Sequence, residues 1–431
     1  MKFSHFINNT INNDNSINWN YYGQSFNASQ LLTNDNSKKF IQEYFKNGNK
    51  ELALFLEPTA ARNFITNYFD NGRKDYILNN EFEQIDLLPD NRAIHTISGF
   101  FLGLLIENCL NGKSMLHVGE LAELPFSYLW FLTFLYHDYG YCIAENDNSF
   151  LSVPQNAPIP RAYNTAHASE YSALRNIKDK LNITTSPFST YFHRNNSFPN
   201  ISTYNALIRE ITIYANRFRT VFCSTGKRIN IHRYKSLTIT RYFNYRINIH
   251  ETLDHGIIAG YMFYDRIIKN YVLSYLANSD MYKSDNLSHF IYKDRVFRQE
   301  QLPVFAYIAD CIMAHNIWME TEKYSNEYRE YMLDELMKDT FRKITYEENP
   351  ILYILCIADT LEPLKAYTEI PKEKILNSLD IDYTPKLKQI KFSTLSTDID
   401  INVLYKKAKD LEEWTSVKCN RVSDTSFSIE I

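Results

Sequence analysis

A mainly α-helical fold is what this chain predicts, and three observations predict it. Gly and Pro are scarce, at 11 and 13 among 431 residues, so turns are few and elements long. Several stretches repeat apolar residues at the spacing of one helix face. Near the C-terminus apolar and polar residues alternate as in strands, which adds a small α+β appendix over 366–431.

The elements follow in order. Residues 1–37 are rich in Asn, Ser and Asp and carry Trp19, Tyr21 and Tyr22, which suits a loosely ordered arm or a segment laid over the surface. FIQEYF and LALFLEPTAARNFITNYF read as helical with Asn71-Gly72 as a stop, so 1–90 is expected to be an N-terminal helical region. The strongest helix comes next. Asp90-Asn91 caps it, RAIHTISGFFLGLLIENCL carries its stripe, and Asn111-Gly112 ends it. A second apolar helix is expected from Glu120 to Tyr136, presenting His137-Asp138 before Gly140.

Residues 139–249 are broken by Pro154, Pro158 and Pro160 and read as an inserted mixed region, with a hairpin expected within 229–249. Helical texture returns in HETLDHGIIAGYMFYDRIIKNYVLSYL, LPVFAYIADCIMAHNIWM and NPILYILCIADTLEPL, where Pro303 and Pro350 fall at helix starts. The helical core is therefore expected over 91–138 and 250–365. In the appendix, DYTPKLKQIKFSTL and SVKCNRVSDTSFSIEI read as strands on either side of an amphipathic helix, INVLYKKAKDLEEW.

Composition narrows the function classes. The net charge of −4 contains no global basic balance of the kind nucleic acid demands, so nucleic acid stays open but unfavoured as a partner. The start of the chain has no signal-peptide core, and the most apolar stretch, 126–136, is too short to span a bilayer. The six cysteines lie far apart without a CxxC pair, which fits reduced thiols in a cytoplasmic protein better than a disulfide framework. No phosphate-cradling Gly-rich loop and no GxSxG elbow occurs. A homo-oligomer stays open.

The chemistry lies in His and Asp residues set in apolar helices. His137-Asp138 alone is an ordinary capping pair as readily as a ligand pair. His95 sits in RAIHTISGFF, His255 in DHGIIAG, His315 in IADCIMAHNIW and Asp359 in ILYILCIADTL. A carboxylate within such a segment is costly to bury unless it is paired or binds metal. For Asp359 the alternatives are a partner Arg or a helix-end position, and for His95 a satisfied core histidine. The small residues after His255 allow close helix approach. Together the six residues offer four imidazoles and two carboxylates, a donor set suited to Mn, Fe, Zn or Ni rather than Ca. His250, five residues before His255, points another way on a helix and stays open as its replacement.

The order H…HD…H…H…D, with HDYG after an apolar helix and then HGIIAG, IMAHN and IADTL, resembles the HD-domain superfamily over 91–141 and 250–365. The resemblance implies an HD-domain helical bundle and metal-dependent phosphohydrolase or phosphodiesterase activity on a nucleotide or related phosphate ester. It implies two divalent transition metals. His95, His137, Asp138 and Asp359 would hold the first, Asp138 would bridge, and His255 and His315 would hold the second. Asp138 and His255 would act in catalysis, beside water activated by the cations. The chain departs from the family in having Tyr141 where Lys often follows HDxG, Asn316 where a second His often follows, and no GYP motif.

Between Arg209 and Arg246 nine Arg and Lys residues face the single acid Glu210. Arg228, Arg233 and Arg241, with Tyr141, are the candidate substrate contacts, since Arg suits phosphate. A solvated basic face or a subunit contact is the alternative. Two other functions remain in competition with hydrolysis: di-iron oxygenation of a small substrate, and a non-catalytic helical sensor that binds a nucleotide.

Overall fold

The structure is a computed structural model and describes residues 55–71, 89–110, 115–118, 122–141, 201–216, 219–224, 227–233, 236, 239–250, 253–264, 302–318, 323, 325–336 and 343–431. The readings for the N-terminal arm, for 37–54 and for most of the expected insertion lie outside these residues. The described residues are mostly helical. They fall into two compact units, drawn from 1–135, 218–234 and 334–431 in the first and from 136–217 and 235–333 in the second.

The first unit is built on the helix Asp90–Cys109, which starts at the expected cap. Its Ala93, Ile94, Ile97, Phe101 and Leu105 are buried. The helices Pro58–Asn71, Pro350–Leu361 and Pro363–Ala366 pack against it. Arg62 of the first of these donates to Asp90 at 2.6 Å. Gly99 and Gly103, one turn apart, admit two rings of the helix Phe126–His137. A Cβ on Gly99 would lie 2.2 Å from Phe134 Cζ, and one on Gly103 2.0 Å from Trp130 Cζ2. The Trp130 indole N–H donates to the Phe100 carbonyl at 2.9 Å, so this buried ring has both an apolar seat and a polar partner.

Two antiparallel sheets complete the first unit. Strands β1 (Met115–Val118), β2 (Ala122–Pro125), β3 (Arg219–Ser224) and β4 (Lys227–Arg233) form one, in the order β2-β1-β3-β4. Strands β5 (Leu379–Thr384), β6 (Gln389–Thr394), β7 (Lys418–Ser423) and β8 (Ser426–Glu430) form the other, in the order β5-β6-β8-β7. The helix Asn402–Trp414 buries Leu404, Ala408, Leu411 and Trp414 and packs on Pro350–Leu361. The C-terminal strands and their amphipathic helix are thus where alternation and helical spacing put them.

Two local expectations need correction. The helix expected from Glu120 begins only at Phe126, because 122–125 pairs with β1 as an edge strand. Pro125 is tolerated at that edge and then opens the helix, a break that the continuous apolar run hides. The hairpin expected within 229–249 is instead formed by β3 and β4 over 219–233. Residues 239–250 are helical, ending in a π turn at Arg246–His250, and bury Tyr242 and Tyr245 three positions apart.

In the second unit the helix Ile201–Ala215 packs along Leu302–Ala314, and Ile239–Tyr245 packs on both. A further helix covers 255–264. Gly260 lets it approach closely: a Cβ there would stand 2.5 Å from Met313 Cγ and 2.7 Å from the Ala309 carbonyl oxygen. The buried carboxylate of Asp310 accepts from Ser236 Oγ at 2.9 Å. Among the described residues, no helix is long and apolar enough to cross a membrane.

Candidate metal centre

Three turns of the second unit bring its His and Asp residues together. His137 closes the helix Phe126–His137, Asp138 follows in the turn, His255 is the first residue of the 255–264 helix, and His315 follows Leu302–Ala314. Helix ends can turn ligands inward without breaking the helical hydrogen-bond ladder. One ligand atom from each of Asp138, His255 and His315 lies within 4.8 Å of the other two. Asp138 Oδ1 is 3.3 Å from His255 Nε2 and 3.5 Å from His137 Nε2. The His315 ring stands edge-on to those of His137 and His255, with centroids 5.4 and 5.2 Å away.

Partners around these rings orient them. His315 Nδ1–H donates to the Ile312 carbonyl at 2.5 Å, which leaves Nε2 as the nitrogen with the lone pair. His255 stacks on Tyr141, with centroids 4.0 Å apart and planes at 23°. Gly140 makes room for this contact, since a Cβ there would lie 2.1 Å from the His255 carbonyl oxygen. The Asn316 amide nitrogen is 3.1 Å from each Asp254 oxygen and 3.0 Å from His255 Nε2. Asn316, where the resemblant family often has a second His, therefore ties Asp254 to His255.

Sequence reasoning passed over Asp254. Its Oδ1 accepts from the Gly256 N–H at 2.8 Å and so caps the 255–264 helix. Burial pushes its carboxyl up. The imidazoles of His255 and His315, the Arg246 guanidinium and the Asn316 amide more than reverse this and hold it below the usual carboxylate range. The signal was Asp just before His-Gly at a helix start.

The first unit holds His95 and Asp359, both buried. His95 Nε2 lies 2.9 Å from Asp359 Oδ1, and Lys365 Nζ lies 2.5 Å from the same oxygen. Asp359 thus has a basic partner, a lysine in place of the arginine that was its expected alternative. Glu362, also missed in the sequence, is fully buried and caps the short helix Pro363–Ala366. Its Oε1 accepts from Leu364 N–H at 2.9 Å and from Ser98 Oγ; its Oε2 accepts from Lys365 N–H at 2.7 Å. His95 Nδ1 donates to the same Oε2 at 3.1 Å. Four donors hold Glu362, and Glu362 in turn holds His95 with Nε2 towards Asp359. The signal was an acid just before Pro after an apolar helix, where a cap belongs.

The other candidates lie on further elements. Arg228 and Arg233 lie on β4 in the first unit, and Arg241 lies half-buried on Ile239–Tyr245 in the second. The Arg228 and Arg233 side chains are outside the described residues. His250 packs edge-on against Tyr245, with centroids 5.0 Å apart. Cys109, Cys311, Cys356 and Cys419 are free and buried, and burial pushes the Cys356 thiol up, so it stays protonated.

The buried His and Asp groups fit a metal ion. Asp138, His255 and His315 offer one hard carboxylate oxygen and two borderline imidazole nitrogens, from two buried residues and one partly exposed one. No protein-family model, no curated protein and no solved structure matches this chain.

Proposed function

We propose that this protein is a metal-dependent phosphohydrolase of the HD-domain type, cleaving a nucleotide or related phosphate ester. The observation that carries the reading is the trio of buried Asp138, partly exposed His255 and buried His315, with ligand atoms within 4.8 Å of one another. The order of motifs along the chain supports it and adds His95, His137 and Asp359 to the proposed ligand set. A divalent cation there would supply an activated water and neutralise charge on the phosphoryl group.

The chain's own residues have separate tasks in this reading. Asp138, between the rings of His137 and His255, provides the carboxylate to which an attacking water's proton can pass. Ile312 and Glu362 fix the ring nitrogens of His315 and His95 through hydrogen bonds. Tyr141, stacked on His255, takes the place beside HDYG that Lys often holds in the resembled family. Water adds to phosphorus, the ester P–O bond breaks, and an alcohol and a phosphate leave. Purified protein with Mn, tested on a nucleotide and phosphoester panel, is expected to release phosphate or a nucleoside monophosphate. Failure to hydrolyse any member, with metal shown to be bound, would sink the reading.

A further inference from the structure

Lys365, beside Asp359, and Lys407, on a helix packed against the one that carries Asp359, have no task in the ligand reading. Lys365 reaches Asp359 Oδ1 at 2.5 Å, from a helix whose cap is Glu362. Lys407 arrives from a different element, the helix Asn402–Trp414, which packs on both Pro350–Leu361 and Pro363–Ala366. It lies three residues after the buried Leu404 and four before the buried Leu411, so it sits at the margin of the buried face. Lys407 is half-buried and makes no hydrogen bond or ion pair among the described residues. Its charged neighbours are Lys365, Asp359, Glu362 and Asp410.

Bringing a second ammonium towards Lys365 is unfavourable by itself. Burial, and next the Lys365 charge, lower the Lys407 pKa against the pull of the three acids. Without a metal, Asp359, Glu362 and Asp410 outnumber the two ammonium groups by one charge. A divalent cation on Asp359 would turn that into an excess of one positive charge, which favours an anion such as phosphate. It would also compete with Lys365 for the same carboxylate oxygen. Lysine ammonium groups are compact, strong point-charge donors to phosphate.

We propose that Lys365 and Lys407 form a phosphate-binding subsite, with Lys365 leaving Asp359 for the phosphate when a cation takes that carboxylate. This rests on Asp359 being a metal ligand, as in the reading above. It gives the C-terminal helix Asn402–Trp414 a direct part in substrate binding.

The probe is inorganic phosphate, titrated calorimetrically into full-length protein with and without Mn. Wild type is expected to bind phosphate more tightly with Mn. Lys365→Met and Lys407→Met should each weaken that binding about tenfold or more, and Lys407→Arg should stay within about threefold of wild type. Lys365→Met should bind Mn at least as tightly as wild type, because a competitor for Asp359 is gone. Melting curves confirm that each variant is folded, and Lys407→Arg keeps the test valid should Lys407→Met fail to fold. Phosphate affinity unchanged in both Met variants, or phosphate binding that ignores Mn, would overturn the proposal. Phosphate held through these lysines by a protein that hydrolyses no ester would instead sink only the hydrolase reading.

Discussion

His255 Nε2 lies 3.3 Å from Asp138 Oδ1, joining the first residue of one helix to the turn that closes another. His255 is tied from behind: it is stacked on Tyr141, and the Asn316 amide nitrogen lies 3.0 Å from its Nε2. A ligand fixed in this way loses little freedom when a cation arrives, which favours binding.

Replacing His255 or Asp138 by Ala should therefore lower the metal content of the purified protein. Elemental analysis is expected to show about one ion or fewer per chain, against two in wild type, and a phosphohydrolase rate reduced at least about a hundredfold. Undiminished metal content in both variants would mean that the trio holds no ion.

Gly140→Ala tests the close approach behind the trio. Its new methyl would start 2.1 Å from a backbone oxygen of His255, so the 255–264 helix must shift. The expected cost is about 1–3 kcal/mol of stability, measured by denaturant unfolding, together with weaker metal binding. An alanine variant as stable and as metal-rich as wild type would contradict the packing.

Glu362→Gln isolates orientation from bulk. The amide keeps an oxygen for the His95 N–H, but it lacks the charge and second acceptor oxygen that four donors share. Metal affinity should fall by about 10–100-fold, with a changed ligand-field spectrum of the Co-substituted protein. Glu362→Asp should not rescue it, being one methylene short. An unaltered spectrum would confine Glu362 to helix capping.

Asp254 predicts a pH dependence. Its folded pKa lies below the unfolded value of about 3.9, so its carboxylate stabilises the fold above that value. The contribution is lost as pH falls through the lower, folded pKa. In chelator-treated protein, wild type should exceed Asp254→Asn by about 1–2 kcal/mol at pH 6, and the gap should close as acid protonates the cap. A gap that stays constant into strong acid would show that Asp254 titrates normally.

The sequence and the structure divide the work unevenly. The helix Asp90–Cys109 was legible to within a residue, because cap, apolar stripe and Asn-Gly stop agree locally. The strands of the C-terminal segment were legible from alternation alone. The short strands β1 and β2 were not, since four residues hold too little alternation to stand out, and β1 also pairs with β3, about a hundred residues away. Asp254, Glu362 and Lys365 were equally hidden. Each is an ordinary polar residue near a helix end until its partners are known.

By itself, the sequence determined which residues are polar ligand types stranded in apolar helices, and hence that some partner or cation must meet them. It could do so because helix periodicity and the cost of burying charge are local properties of the chain. Only the tertiary structure decided who those partners are: Lys365 for Asp359, Glu362 for His95, and His255 with His315 around Asp138. Contacts between distant segments depend on how helices pack, and no spacing along the chain encodes them.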